Sequence, residues 1–488
     1  MSLAKRVAGS SALLVGIKFV HRLLGLFSTL ILARLLTPAD FGLVALISIT
    51  VYFFDVLSSA GSDQYIIRKR NVTEDDLNTA WTLDLLMKIF LWLLLLIIAS
   101  SVAEFFSQPD LERALQLGSC VLPLNALASP RINLLKQEFA YQGIFWLSVI
   151  QRVSGFFIVV GLAWHLRNFW AMVIADVAAS VVFTLGTYRI AAHRPRLTLL
   201  QLSDQWSFSA WMLLRGIVGY TRSQIDTLFV SKLFPATSLG QYQLARDIAM
   251  LPAHNIVVPA SEQLLAAFRE SRGDRAAQGL QLRWSFAAVA VLIFPTCTFV
   301  TVFARNIVSV LLGEQWSEAE STLAYMSLLL FYFSFSVVYE RLLVAEGRVR
   351  LLSALETYSL VVVIASLLFA AGGNTQSIAL FRGVAGCANL LVFAIICQRA
   401  TRLPGCLPLA MLTIFSIASL LAAFVATSLA VSSDSATVEL LTQTALFSVT
   451  YTGAVLIGSR FLTLEDKQRI DTLIASRLAS LKMAVSRT

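Results

Sequence analysis

Basic side chains recur inside stretches that are otherwise apolar: Lys18, Arg22, Lys88, Arg113, Arg152, Arg215, Arg222, Arg246, Arg341 and Arg382. Acidic ones at comparable places are Asp55, Asp84, Asp176, Asp226, Asp247, Glu340 and Glu356. A charge facing hydrocarbon near a bilayer centre costs roughly 2.5–3.5 kcal/mol. Several together would rival the whole stability of a domain, about 5–15 kcal/mol. Most of these groups must therefore face a protein interior or a wet cavity, and the imbalance favours cations there. Arginine's planar fork binds phosphate oxygens two at a time and keeps its charge in low dielectric. The candidate cavity cations are Lys18, Arg22, Arg152, Arg215, Arg222, Arg246 and Arg382. Arg215, Arg222 and Asp226 (i, i+7, i+11) share one helical face, and Lys18 and Arg22 stand one turn apart beside His21. Asp55, Asp176 and Asp226 are the candidates for coupling to a proton or sodium ion, since a partly buried carboxylate can be tuned toward the working range. A structural reading stands beside each assignment. Arg222–Asp226 can be an intrahelical pair that only lowers the cost of burial, and Asp84–Lys88 is best read that way. Arg246 and Asp247 are adjacent and so point apart.

These charges need helices to carry them. The chain has 488 residues, 57% of them hydrophobic and only 14% charged, with a mean hydropathy of +0.75. Soluble domains run near 25% charged, so a water-soluble fold is excluded. Apolar runs long enough to cross a ~30 Å hydrocarbon slab recur throughout. They fall at about 11–33, 41–60, 79–103, 114–135, 144–164, 168–188, 207–230, 239–265, 284–304, 322–343, 353–371, 377–397, 408–431 and 437–457. The expectation is an all-α polytopic membrane protein of about fourteen helices. Pro123, Asn125 and Pro130 interrupt the fourth span, and Arg246, Pro252 and Pro259 the eighth. Broken helices are tolerated at membrane depth only where they pack in protein or line water.

Lysine and arginine concentrate in alternate loops, which explains the net charge of +9 without nucleic acid. The other set of loops holds few, among them Arg34, Arg167, Lys232 and Arg305. By the positive-inside rule both termini are cytoplasmic. The first apolar run contains Lys18, His21 and Arg22 and lacks a small-residue exit, so it is expected to stay in the mature chain. Residues 465–488 set Ile470, Leu473, Ile474, Leu478, Leu481 and Val485 on one face, as in an amphipathic helix on the membrane surface. The five cysteines form no C-x-x-C pair and read as small core residues. No G-x-x-x-x-G-K-[ST] loop is present, which disfavours ATP hydrolysis.

TLILARLLTPADFG (29–42) resembles TLFVSKLFPATSLG (227–240) without a gap. The copies begin about six spans apart, an even number, so both halves should enter the membrane in the same sense. That predicts two pseudo-symmetric lobes with a site between them, and helices one and seven facing each other across it. The division expected is 1–205, 206–400, helices thirteen and fourteen over 401–464, and the tail over 465–488.

LARLLTPADFGLVAL, IIRKRNV, SQPDL, SQIDTLFVSKLFPATSLGQYQLA and LGEQW, in that order along the chain, resemble the polysaccharide transporter family of the multidrug/oligosaccharidyl-lipid/polysaccharide exporter superfamily. The colanic-acid-exporter branch is the nearest likeness. The resemblance implies a V-shaped fold with a central cavity, like that of the superfamily's drug exporters. It implies alternating access to an undecaprenyl-diphosphate-linked oligosaccharide in a bacterial inner membrane, with no cofactor. Membrane lipids, a polysaccharide polymerase and assembly proteins are the implied partners. The alternatives are a cation-coupled drug antiporter, which would favour an acidic, aromatic cavity, and a membrane-embedded glycosyl polymerase or ligase. The latter needs a large outer loop with acid/base groups, and none is present.

Overall fold

The computed structural model describes residues 3–58, 65–67, 69, 71–401, 409–429 and 435–461. The expected surface helix over 465–488 lies outside the described residues, as do Arg68, Arg70, Cys406 and the side chain of Arg215. The chain runs α1 (Leu3–Leu35), α2 (Pro38–Ser58), α3 (Glu74–Phe105), α4 (Asp110–Gly118), α5 (Val121–Ala126), α6 (Ile132–Gln137), α7 (Tyr141–Leu166), α8 (Trp170–Ile190) and α9 (Leu202–Leu233). It continues with α10 (Ala236–Pro252), α11 (Val258–Glu270), α12 (Arg275–Val302), α13 (Ala304–Leu311), α14 (Ala319–Ala345), α15 (Val349–Ala370), α16 (Thr375–Thr401), α17 (Leu409–Leu429) and α18 (Ala436–Gly458). The protein is an all-helical, multi-pass membrane protein.

Among the described residues, eleven helices are long and apolar enough to cross a membrane. Three of the fourteen expected spans fall short, each for a local reason. The fourth resolves into α4, α5 and α6, separated around the prolines and polar residues that already marked it. The seventh is one continuous helix, α9, diluted by Arg215, Arg222, Asp226 and Lys232. In the eighth, Pro252 ends α10 and a π turn over Ala253–Val257 leads into α11. Proline has no N–H to give to the ladder, and the wider turn absorbs the mismatch.

Helix ends are fixed by short polar devices. Thr73 and Asp76 form a capping box at the start of α3, and Asp274 caps α12 through the Ala276 and Ala277 amides. At the α1–α2 turn, Asp40 accepts from the Thr37 amide at 2.9 Å and from the Phe169 amide at 2.9 Å, which pins the α7–α8 turn beside it.

The helices group into two compact units. One contains the described residues up to Leu244 together with Leu311–Glu318; the other contains Ala245–Val310 and the described residues from Ala319 onward. In the first, α1 packs mainly on α7, α7 on α8, and α9 on α2 and α3. In the second, α14 is the central helix, packing on α11, α12, α15 and α16.

Within the first unit the two copies of the repeated stretch meet. A Cβ on Gly42 would lie 1.8 Å from the Ala236 carbonyl oxygen, and one on Gly240 would lie 1.9 Å from that of Pro38. In the ungapped alignment Gly42 corresponds to Gly240 and Pro38 to Ala236, so the contact is reciprocal. Only glycine permits this backbone-on-backbone crossing.

Candidate functional site

Five segments of the first unit, α1, α2, the α4–α5 region, α7 and α8, enclose a cavity of about 670 Å³. Small residues set its walls. Gly186 abuts Leu147 and Gly155 abuts Ala179, so α7 and α8 lie close. Leu32, Leu36, Val159, Ala163, Ala171 and Ala175 pack into an apolar cluster among α1, α7 and α8. The polar lining includes His21, Ser28, Asp55, Asn125, Gln151, Arg152 and Asp176.

Arg152 on α7 and Asp176 on α8 both present exposed surface there, and the Arg152 charge acts on both Asp176 and His21. The Arg152 guanidinium also reaches α1. A Cβ on Gly25 would stand 2.7 Å from its Nη2, so the missing side chain makes room for it. Asp55 is differently placed. Lys88 lies 3.8 Å from Asp55 and 3.1 Å from Asp84, so the Asp84–Lys88 pair expected from the i, i+4 spacing is present and extends to α2.

Of the candidate residues, the structure brings Arg152, Asp55 and Asp176 to this cavity. Lys18 is exposed and Arg22 half-buried on α1, outside its lining. Arg222 on α9 and Arg246 on α10 are half-buried elsewhere. Arg382 is buried on α16 in the second unit. Asp226 is fully buried and accepts from the Tyr242 hydroxyl at 3.0 Å. Gly25 and Gln151 were not singled out in the sequence, and Asn125 was marked there only as an interruption of the fourth span. Gln151 had a usable signal as a polar neighbour of a lone arginine inside an apolar run. Gly25 had none, because its role appears only when α7 is laid beside α1.

A second cavity, about 810 Å³, opens where the 191–201 connector crosses the start of α3. His193 shares its ring nitrogen with Asn78 Oδ1 at 3.0 Å, and Arg131 pairs with Glu74. The Arg196 amide also donates to Asn78 Oδ1, at 3.1 Å. Burial holds the His193 imidazole below its ordinary pKa; Glu74 pulls it back up and Arg131 adds to the depression. Among the described residues no cluster of three metal-ligating side chains occurs.

The chain is 22% identical over 298 residues to an uncharacterized membrane protein in the cps region of Klebsiella pneumoniae, covering 60% of this chain and 61% of that one. It is 23% identical over 305 residues to the lipopolysaccharide biosynthesis protein WzxC of Escherichia coli strain K12, again 60% and 61%. It thus spans about three fifths of the length of these relatives. Among solved structures, the lipid II flippase MurJ in an inward closed conformation matches with a TM-score of 0.77 at 15% identity, covering 91% of this chain and 98% of that one. An inward-facing multidrug resistance MATE transporter of the MOP superfamily matches with a TM-score of 0.58 at 12% identity, covering 78% and 94%. At such identities the structures establish the fold. The polysaccharide biosynthesis protein family model matches residues 31–321, well over half of the sequence, and the chain belongs to that family.

Proposed function

We propose that this chain is a non-enzymatic transporter that moves a lipid-diphosphate-linked oligosaccharide across a bacterial inner membrane by alternating access, with both termini in the cytoplasm. Family membership and the names of the relatives support the substrate class. The observation that carries the transport reading is the polar cavity walled by apolar helices, with Arg152 and Asp176 opening into it. Charges at membrane depth are costly unless water or a ligand solvates them, so a wet, charged chamber in such a setting marks a path for solute or ion.

In this reading Arg152 supplies a phosphate-binding cation in the cavity, and Lys18, Arg22, Arg215, Arg222, Arg246 and Arg382 are the further candidates for that role. Asp176 is the coupling carboxylate favoured by the geometry. Asp55 already has Lys88 beside it, and Asp226 is fully buried against Tyr242. One observation favours a second reading: the cavity lining carries two carboxylates against one arginine, which suits cation-coupled antiport of a small cationic solute. Export of surface polysaccharide in cells lacking the endogenous exporter separates the two. Restored export supports the first reading. Absent export, together with acquired resistance to cationic drugs, supports the second.

A further inference from the structure

The C-terminal end of α1 has an unusual cap. A helix leaves its last four carbonyls without partners of its own. Here Ala33 O accepts from Gln315 Nε2 at 2.6 Å and from Trp316 Nε1 at 2.8 Å, and Leu36 O accepts from Gln315 Nε2 at 3.2 Å. The donors come from a short 3-10 turn, Glu314–Trp316. Trp316 is completely buried, and its ring stands edge-on to Phe41 of α2, with centroids 5.2 Å apart. Two side chains therefore satisfy the end of α1 and pack against the start of α2.

The way this turn is delivered gives it more than a capping role. It belongs to the first unit, while α13 before it, as far as Val310, and α14 after it belong to the second. It follows Gly313, at φ +101° and ψ 171°, a backbone region almost confined to glycine. Empty space lies where a Gly313 Cβ would go, so the backbone conformation and not crowding demands glycine. The helix it caps is the one that lines the cavity with His21, Gly25 and Ser28.

We propose that Gln315 and Trp316 are positioning residues for transport: they hold the end of α1 in the conformation seen here and release the Ala33 carbonyl when the cavity opens. The transport role rests on the function proposed above; the hold on α1 does not. A purely static cap and a releasable one differ in what their loss does to access.

The test uses the full chain in nanodiscs, with all five native cysteines replaced and Ser28→Cys as a reporter. The rate of maleimide labelling at this site is read without substrate. Trp316→Phe keeps the ring and removes the N–H; Gln315→Glu replaces the donor with a carboxylate that repels the two carbonyls. Each should raise the labelling rate about five- to thirtyfold, the population shift expected for losing one or two hydrogen bonds. Transport should slow at unchanged protein level. Leu330→Val, in the buried interior of α14, supplies the control for general loosening. Unchanged labelling in both variants overturns the proposal, and so does an equal rise in Leu330→Val. Raised labelling in a protein that transports no oligosaccharide would sustain the hold on α1 while removing the function proposed above.

Discussion

α14, the central helix of the second unit, buries 17 of its 27 residues, whereas α7, which lines the cavity of the first unit, buries four of its 26. Polar groups differ between the two regions. Around α14 some of them pair: Asn389 donates to Ser359 Oγ at 2.9 Å, and that hydroxyl lies 3.2 Å from the Tyr332 hydroxyl, while Ser334 Oγ and Asn389 Oδ1 are buried without a hydrogen-bond partner. In the first unit, Arg152 and Asp176 open into a chamber instead. Polar contacts buried between helices specify packing, whereas charged groups left accessible are available to a solute. The second unit's described interior reads as scaffold and the first unit's cavity as the place where chemistry can enter.

The sharpest way to break this comparison is to measure stability in both interiors. Phe393 is 1% exposed on α16; Phe393→Ala should cost about 3–5 kcal/mol, seen as a large fall in thermal midpoint. Asp176→Asn should change unfolding by no more than about 0.5 kcal/mol. An equally large loss in Asp176→Asn would mean that the cavity is also scaffold. In transport the order should reverse, with Asp176→Asn or Arg152→Gln lowering the rate at least about tenfold, or 1.4 kcal/mol. Gly25→Leu should displace the Arg152 guanidinium and lower transport severalfold. Gly25→Ala should do less, because the atom it meets ends a flexible side chain. Ser359→Ala should cost about 1 kcal/mol of stability and leave transport intact.

The smallest effect concerns His193. Its folded pKa is depressed by burial, so the folded protein binds fewer protons than the unfolded chain, and stability rises with pH. Unfolding measured from pH 7.5 downward should show a destabilisation that begins near the ordinary value of about 6.5 and grows as acid is added. His193→Gln should flatten that slope. An unchanged slope would assign the acid response to other groups.

Much of this architecture was legible because charges are scarce in the chain and prolines fall where helices fail. Pro123, Pro130 and Pro252 marked the two spans that break. The Asp84–Lys88 pair followed from spacing alone. Its extension to Asp55 did not, because which face of α2 meets α3 is decided by packing. Arg152 and Asp176 were each visible as charges in apolar runs. Their common cavity depends on Gly155 and Gly186 drawing α7 against α8, and no periodicity reports which glycine meets which helix. LGEQW was visible only as part of a likeness, since the partner it caps is remote.

That remoteness has a consequence for biogenesis. Trp316 and Ala33 are 283 residues apart. At translation speeds of about 5–20 residues per second, α1 waits roughly 15–60 s after its own synthesis before the Ala33 carbonyl can be satisfied. During that interval the insertion machinery, lipid headgroups or water must shelter the helix end. A nascent chain stalled before residue 311 should therefore present quality-control proteases with an unfinished first unit.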